Sequence, residues 1–185
     1  MKVVSIVGMA GAGKSVVSRL FQEENFTKIR FGDITDTEVR RRGLELNEEN
    51  ERYVRELLRR DEGMAAYARL NQSAIDSALK SRDVVIDGLY SWEEYIFLKA
   101  NYGEDFYVVA VWASPEARYA RLTVRPERGL AVDEAASRDK TEIENVNKGG
   151  PIAMADFTIV NESSVDDLRK EVKMIIAGLK NEKTD

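Results

Sequence analysis

The sequence predicts an α/β protein in which a parallel sheet is covered by helices on both faces. Short runs of β-branched and aromatic residues alternate along the chain with longer amphipathic stretches, which is typical of a doubly wound sheet. Most of these runs are almost continuously apolar, as expected of strands that are buried on both faces. The strands are predicted at residues 2–7, 26–31, 84–88, 106–113 and 156–161.

The helices between these strands have recognisable beginnings. The first is predicted after a glycine-rich loop and carries an apolar face around Val17 and Leu20. Ser91 is predicted to cap the helix that follows the third strand, because a serine oxygen can accept a hydrogen bond from the first helical turn. Ser114 and Pro115 are predicted to open the next helix, with the proline at its first position.

The 185 residues suit one domain of ordinary size, because 43% hydrophobic residues are enough to build a core. We expect this core to comprise residues 1–32, 83–117 and 151–185. The two intervening segments, 33–82 and 118–150, are charged, helical in pattern and without strand signals. We interpret them as covers over the carboxyl edge of the sheet, where open α/β sheets bind ligands.

The composition excludes several kinds of site and partner. The chain has no cysteine, which excludes disulfides and thiolate metal sites, and no histidine, so acid–base chemistry falls to Asp, Glu, Lys or Tyr. A net charge of −5 argues against a nucleic-acid partner. The longest apolar runs are too short to span a membrane, and Met1 leads directly into the first strand without a signal peptide. A cytoplasmic location is the default expectation, and the oligomeric state is left open.

The stretch GMAGAGKS lies between the first strand and the first helix. Gly8, Gly13, Lys14 and Ser15 match the pattern G-x-x-x-x-G-K-[ST] of phosphate-binding loops. Glycines let successive backbone N–H groups turn toward phosphate oxygens, and the following helix directs its positive end at the anion. Lys14 is predicted to reach the β- and γ-phosphates, and Ser15 to coordinate Mg²⁺. The alternative is an ordinary glycine-rich turn. The predicted nucleotide-binding residues are Gly8, Met9, Ala10, Gly11, Ala12, Gly13, Lys14, Ser15 and Val16.

The chain resembles the nucleoside-monophosphate-kinase group, and within it the dephospho-CoA kinases and related adenylate-kinase-like proteins. Four motifs that follow the glycine-rich loop along the sequence carry this resemblance together with it. They are FGD at 31–33, VVIDG at 84–88, ASPEARYARLTVR at 113–125 and ADFTIVNESSVDDLRKEV at 155–172. Each of these motifs is weak alone, and their order and spacing carry the resemblance. The loop itself is specific for nucleotide binding and not for a kinase.

The resemblance implies a three-layer P-loop NTPase fold whose five-stranded parallel sheet has the order 2-3-1-4-5. It implies that the protein binds ATP with Mg²⁺, that segment 33–82 binds a small nucleotide or coenzyme acceptor, and that residues around 126–137 form a lid that excludes water. The reaction would be in-line transfer of the γ-phosphoryl group. A nucleotide-binding switch, or a slow NTPase that acts on a protein partner, is the alternative.

Two aspartates at strand ends are candidate site residues. Asp33 is predicted to accept the proton of the acceptor hydroxyl or to hold Mg²⁺ through water, with a plain turn residue as the alternative. Asp87 ends an apolar strand, where a carboxylate costs several kcal/mol unless it is paired or close to a cation. It is predicted to hold Mg²⁺ through water, and a helix cap or a paired structural aspartate is the alternative.

Twelve of the 17 arginines lie in the two helical segments, within 40–60 and 118–138. Arg121, Arg125 and Arg138 are predicted to bind triphosphate oxygens from the lid, because arginine suits bidentate contacts to phosphate. Pairing along solvated helix surfaces explains much of the pattern within 40–60. The pairs that stand four residues apart are Glu38/Arg42, Glu48/Arg52, Glu51/Arg55, Glu56/Arg60 and Glu134/Arg138.

Two residues near the end of the chain have competing interpretations. Lys148 lies in the turn NVNKGGP, which we interpret as a helix C-cap, with a phosphate contact as the alternative. Asn161 ends the last strand and is predicted to border the adenine. A cap on the last helix by Ser163 or Ser164 is the competing interpretation of that loop.

The resemblance also makes AMP an unsuitable acceptor. Adenylate kinases carry an arginine three residues after the Gly-Asp aspartate and another in a D-G-x-x-R segment, whereas this chain has Asp36 and Leu89 to Trp92 there. We expect Asp36 to repel a phosphate, and Tyr90 and Trp92 to contact the acceptor. A ribose-bearing coenzyme precursor such as dephospho-CoA therefore fits better than AMP.

Overall fold

A computed structural model describes residues 1–126 and 129–181. Five parallel strands form one sheet in the order β2-β3-β1-β4-β5, which confirms the predicted strand order. The strands are β1 (Val3–Val7), β2 (Thr27–Arg30), β3 (Val84–Asp87), β4 (Phe106–Trp112) and β5 (Phe157–Val160).

The helices cover both faces of the sheet, and most of them follow a strand directly. They are α1 (Lys14–Glu23), α2 (Asp33–Arg41), α3 (Glu48–Glu62), α4 (Ala66–Ala78), α5 (Trp92–Tyr102), α6 (Pro115–Thr123), α7 (Val132–Glu144), α8 (Gly149–Ala153) and α9 (Val165–Asn181). Within the described ranges, every helix falls short of the length and apolar character that a bilayer-crossing segment needs.

Alternation along the strands divides the hydrophobic core between two layers. Val4 and Ile6 point to the layer formed with α1 and α9, whereas Val3 and Val7 point to the layer formed with α4 and α5. All five residues of β1 and all four of β3 are buried, because helices cover these central strands on both sides. The edge strand β2 is only half-buried, which accounts for its weaker apolar pattern.

Strand register brings the site residues to one edge of the sheet. Asp87 lies beside Ile6 of β1 on one side and beside Arg30 of β2 on the other. The loop that starts at Gly8 therefore leaves β1 next to the carboxyl ends of β2 and β3. The parallel arrangement places Asp33, which begins α2, at this same edge.

The two segments predicted to cover this edge are helical. Segment 33–82 contains α2, α3 and α4, and segment 118–150 contains most of α6, all of α7 and the start of α8. Residues 127 and 128 of the predicted lid lie outside the described residues. A small apolar cluster of Ala10, Leu122, Leu130 and Ala135 packs α6 and α7 against the glycine-rich loop.

Side-chain caps fix several helix starts. The Oγ of Ser91 accepts a hydrogen bond from Glu94 N–H at 3.1 Å, which confirms that cap. Ser114 accepts a bond from Ala117 N–H at 3.3 Å, and Pro115 follows it as predicted. Each cap satisfies a donor of the first helical turn.

Candidate active site

The loop between β1 and α1 has a backbone that requires glycine. Gly8, Gly11 and Gly13 have φ angles of 151°, 79° and 102°, which other residues rarely adopt. A side chain on Gly13 would collide with the amide of Asn161, and one on Gly11 would come within 2.6 Å of the Arg118 carbonyl oxygen. The glycines therefore hold the loop close to its neighbours and keep its concave side open.

The start of α1 offers backbone donors to a ligand. The Gly13 carbonyl accepts from Val16 N–H at 3.0 Å, so the Val16 donor is used by the helix. Within the described residues, the N–H groups of Gly13, Lys14 and Ser15 find no acceptor. Donors of this kind at a helix N-terminus, where the helix dipole is positive, suit a phosphate group.

Lys14 is half-buried and packs against its own loop. Its Nζ donates to the carbonyl oxygens of Gly8 at 2.8 Å and Met9 at 3.0 Å. Burial lowers the pKa of Lys14 to about 7, and the positive charge of Lys148 lowers it further, against the opposing effect of Glu142. Lys14 is thus a cation whose bonded partners are neutral oxygens, which suits it to receive an anionic ligand.

Ser15 and Asp87 form the candidate metal site. The Ser15 Oγ donates to Asp87 Oδ1 at 3.5 Å, and the buried Asp87 carboxylate also meets Lys28 Nζ, 2.8 Å from Oδ2. The sequence did not suggest Lys28, and the expectation of a paired structural aspartate is met in part. Hydroxyl and carboxylate oxygens suit Mg²⁺, which typically takes its other ligands from substrate phosphates and water. Across 1–126 and 129–181, no group of three or more Asp and Glu residues is placed to hold a metal ion.

Asp33 lies at the same sheet edge in an ion-pair cluster. Its side chain is 66% exposed, and Arg30 donates to Asp33 at 2.6 Å and to Asp36 at 2.8 Å through one nitrogen. One arginine thus faces two carboxylates, so this cluster keeps a net negative charge, and the expected repulsion between Asp36 and a phosphate stays a prediction. The sequence did not single out Arg30, although this residue directly precedes the FGD motif.

Arg121 and Asn161 brace the loop from the opposite side. The Asn161 Nδ2 donates to the Ala12 carbonyl at 2.8 Å, and Arg121 Nη2 donates to the Asn161 carbonyl at 2.7 Å. The other terminal nitrogen of Arg121, Nη1, is buried and has no hydrogen-bond partner in the described part of the chain. This orphaned donor fits a phosphate or nucleotide oxygen, and the adenine contact of Asn161 stays a prediction.

The loop after Asn161 also contains a helix cap. Ser164 caps α9 by accepting from Asp167 N–H at 3.2 Å.

Arg138 joins the two covering segments, and Arg125 remains at the surface. Arg138 lies 3.3 Å from Glu142 on its own helix and 3.5 Å from Glu48 at the start of α3. The predicted pairing with Glu134 is wrong, because that carboxylate accepts from a backbone N–H at the start of α7, at 2.7 Å. Arg125 follows α6 and is exposed, so its phosphate contact stays a prediction.

Lys148 is buried at the N-cap position of α8 and pairs with an acidic residue of α7. It is 2% exposed, and its Nζ lies 2.6 Å from Glu142 and 5.4 Å from the ring centre of Tyr90. The turn NVNKGGP does contain the C-cap of α7, at Asn145, as predicted, whereas Lys148 lies three residues later, at the start of α8. Burial opposes ionisation of Glu142, but Lys148, Lys14 and Arg138 outweigh it and lower its pKa to about 2.

Arg118 connects α7 to the glycine-rich loop. Its guanidinium makes two hydrogen bonds to Asp139 of α7, at 2.9 and 2.6 Å, and also donates to the carbonyls of Ala10 at 3.1 Å and Ala113 at 3.2 Å. The pair is buried. Sequence reasoning missed it, because the arginine and the aspartate are 21 residues apart on different helices.

The helical pairing expected within 40–60 forms in part. Glu38 pairs with Arg42 at 2.7 Å and Glu51 with Arg55 at 3.5 Å, as predicted. Glu48 pairs with Arg55 at 2.6 Å in place of the predicted Arg52. Most of these arginines therefore belong to surface pairs.

The expected acceptor contacts, Tyr90 and Trp92, are half-buried and pack against other aromatic rings. Trp92 stacks on Tyr95 at 5.0 Å, and the ring of Tyr90 contacts the ring of Tyr67 at 5.4 Å. Glu94 is fully buried; its Oε2 accepts from Tyr90 N–H at 2.8 Å, whereas its Oε1 has no hydrogen-bond partner within the described residues. Burial raises the pKa of Glu94 to about 7. The Nε of Arg59 is likewise buried without a partner in the described ranges.

Comparisons with known proteins show which family the chain belongs to. A family profile described as an AAA domain matches residues 4–148. A UPF0200 protein from Thermococcus kodakarensis is 36% identical over 178 residues, which cover 94% of this chain and 96% of that protein. The chain belongs to the AAA domain family and to the UPF0200 proteins.

Solved structures of low sequence identity share the fold of this UPF0200 protein. A shikimate kinase from Bacteroides thetaiotaomicron superposes with a TM-score of 0.62 over 95% of this chain and 98% of that chain, at 13% identity. A gluconokinase from Sinorhizobium meliloti superposes with a TM-score of 0.59 over 97% of this chain and 92% of that chain, at 14% identity. The predicted fold class is therefore confirmed, and at these identities the likeness concerns the fold alone.

Proposed function

We propose that this UPF0200 protein binds ATP with Mg²⁺ and transfers the γ-phosphoryl group to a hydroxyl of a small nucleotide or coenzyme acceptor. The observation that carries the proposal is the glycine-rich loop, in which the half-buried Lys14 has no carboxylate partner in the described residues and the N–H groups at the start of α1 are unused. Two proteins of the same fold are a shikimate kinase and a gluconokinase, and both names denote small-molecule substrates.

Each loop residue has a defined task in this proposal. The N–H groups of Gly13, Lys14 and Ser15 bind phosphate oxygens, and the Lys14 ammonium neutralises charge on the transferred group. Ser15 and Asp87 would hold Mg²⁺, which neutralises further negative charge when it is bound. The covering helices α3 and α7, linked by Glu48 and Arg138, keep water away from the phosphoryl group.

Asp33 is the proposed general base, which takes the proton from the hydroxyl group of the small-molecule acceptor. The acceptor oxygen forms the new bond to phosphorus as ADP leaves, and its proton passes to the Asp33 carboxylate after that group parts from Arg30. Asp33→Asn keeps the size of the side chain but removes the basic oxygen. We expect turnover to fall by about 10²–10⁴-fold with little change in ATP affinity. A loss below about tenfold would leave Asp33 as a structural partner of Arg30 only.

The acceptor screen is the decisive experiment. ADP release would be measured with ATP and Mg²⁺, and with matched concentrations of dephospho-CoA, AMP, nucleosides and small hydroxy acids. Lys14→Ala is the control, since it retains the fold but removes the phosphate contact. We expect acceptor-dependent release, with dephospho-CoA above AMP because no arginine occupies either adenylate-kinase position. Equal rates for the wild type and Lys14→Ala would contradict the proposal.

One observation favours the alternative of a nucleotide-binding switch or slow NTPase that acts on a protein partner. The groups expected to bind an acceptor are satisfied within the protein, because Arg30 holds both Asp33 and Asp36 and the rings of Tyr90 and Trp92 are packed. ADP release that no acceptor in the screen accelerates, but that Lys14→Ala abolishes, would favour this alternative.

A further inference from the structure

Three lid-side and loop cations are gathered around a single acidic side chain at the site. Glu142 lies 2.6 Å from Lys148 and 3.3 Å from Arg138, and it also influences Lys14 electrostatically. The backbone of the 142–148 turn is fixed too, because Lys148 N–H donates to the Glu142 carbonyl at 3.1 Å. This buried arrangement is expensive to fold, since removing an ammonium and a carboxylate from water costs several kcal/mol per ion. Stability alone therefore gives little reason for it.

The position of α7 sets the cluster against the phosphate-binding loop. Arg118 ties Asp139 of α7 to the Ala10 carbonyl of the loop through hydrogen bonds of 2.6 to 3.1 Å. Glu142 follows Asp139 by three residues, so both lie on the same side of the helix. The Lys148–Glu142 pair is thereby held beside the loop that carries Lys14.

The charges of the cluster do not balance. Lys14, Lys148 and Arg138 are three cations, whereas Glu142 and the more distant Glu48 are the acidic groups that contact them. Lys14 bonds only to carbonyl oxygens. The surplus positive charge lies beside the loop, close enough for Lys148, Arg138 and Lys14 to influence one another, and an anion bound in the loop would compensate it.

We infer that Lys148 binds the γ-phosphate of ATP and that Glu142 positions it for this contact. The inference rests on the proposed nucleotide site but not on any acceptor. In the described structure Glu142 is the counterion of Lys148, and the γ-phosphate joins it as a second counterion when ATP is bound. ADP lacks the group that Lys148 contacts, so Lys148 makes the site prefer ATP over ADP.

The test is the ratio of two affinities, measured by titration calorimetry in the presence of Mg²⁺. The ligands are ADP and the β,γ-imido analogue of ATP, which is not hydrolysed. Lys148→Met should weaken binding of the ATP analogue by about 10–100-fold, the value of one charge-assisted contact, and change ADP affinity less than about threefold. Lys140→Met, an exposed lysine on α7, the helix that carries Glu142, is the control and should change neither affinity.

Lys148→Met removes the counterion of the largely buried Glu142 carboxylate, and this loss by itself destabilises the fold. A second variant separates that effect from the loss of phosphate binding. The double variant Glu142→Gln/Lys148→Met removes both charges, so neither ion is buried without its partner. It should fold and also lose the preference for the ATP analogue. A folded variant that keeps the wild-type ratio, an equal loss for both ligands, or unfolding of both variants would overturn the inference. The binding assay contains no acceptor, so a failed acceptor screen would leave its result unaffected. An unchanged ratio of the two affinities would contradict the role of Lys148 but would leave the kinase proposal standing.

Discussion

The Arg118–Asp139 pair offers the sharpest test of how α7 is held against the glycine-rich loop. Arg118→Met keeps most of the apolar stem but removes four hydrogen bonds, two to Asp139 and one each to the Ala10 and Ala113 carbonyls. Asp139 then stays largely buried with the Tyr119 hydroxyl, at 2.9 Å, as its remaining donor.

The expected cost follows from this burial. Removing one partner of a buried ion pair typically costs about 3–5 kcal/mol, because the remaining charge stays desolvated. We therefore expect Arg118→Met to lower the free energy of unfolding by about 3–5 kcal/mol. The double variant Arg118→Met/Asp139→Asn should cost clearly less than the sum of the two single variants, since it leaves no unpaired charge.

Urea denaturation of the full chain measures these differences. Arg169→Met is the matched control, because Arg169 pairs with Glu23 at 2.7 Å and both side chains are nearly half exposed. An exposed pair contributes at most about 1 kcal/mol. The reasoning would be refuted if Arg118→Met cost no more than Arg169→Met, or if the two single effects simply added.

Three further predictions concern the loop and the buried carboxyl group. Lys14, with its pKa at about 7, is charged below that pH and neutral above it, so ATP affinity should fall from pH 6 to pH 8 and binding should take up protons. Calorimetry in buffers of different ionisation enthalpy measures this uptake, and its absence would contradict the prediction. Gly13→Ala should cost about 1–3 kcal/mol, because φ is 102° and the new methyl group meets Asn161, whereas Gly178→Ala, in open space on α9, should raise the melting temperature. Glu94, with its pKa raised to about 7, keeps a proton between pH 4.5 and 7 that the unfolded chain has released, so its contribution to stability is lost as pH rises through this window. Urea denaturation at pH 5 and pH 7.5 should show this loss in the wild type but not in Glu94→Gln; equal losses would contradict it.

The features that the sequence determined by itself are local ones. Strand runs, capping serines and the spacing of Gly8, Gly13, Lys14 and Ser15 depend on neighbours along the chain, so their patterns predict structure directly. The sheet order came from the order of motifs and the resemblance they carry. The surface pair Glu38–Arg42 could also be predicted, since residues four apart meet on any helix.

The tertiary structure alone decided which charged residues from distant parts of the chain come into contact. Arg118 reaches a loop carbonyl 108 residues away, and Arg138 reaches Glu48 across 90 residues. Such contacts depend on how strands and helices are placed, and no periodicity along the chain encodes them.

Local competition also changed the partners. The helix rule predicts Glu134 for Arg138, but the Glu134 carboxylate accepts a backbone N–H at the start of α7. Arg138 turns instead to Glu142, which also meets Lys148 in a turn that resembles a simple C-cap in the sequence. The sequence offers many acidic residues as partners for each cation. Only the folded structure decides which of them lie close enough to form an ion pair. For this reason the phosphate-binding loop could be predicted from the sequence, whereas the charged groups around it required the structure.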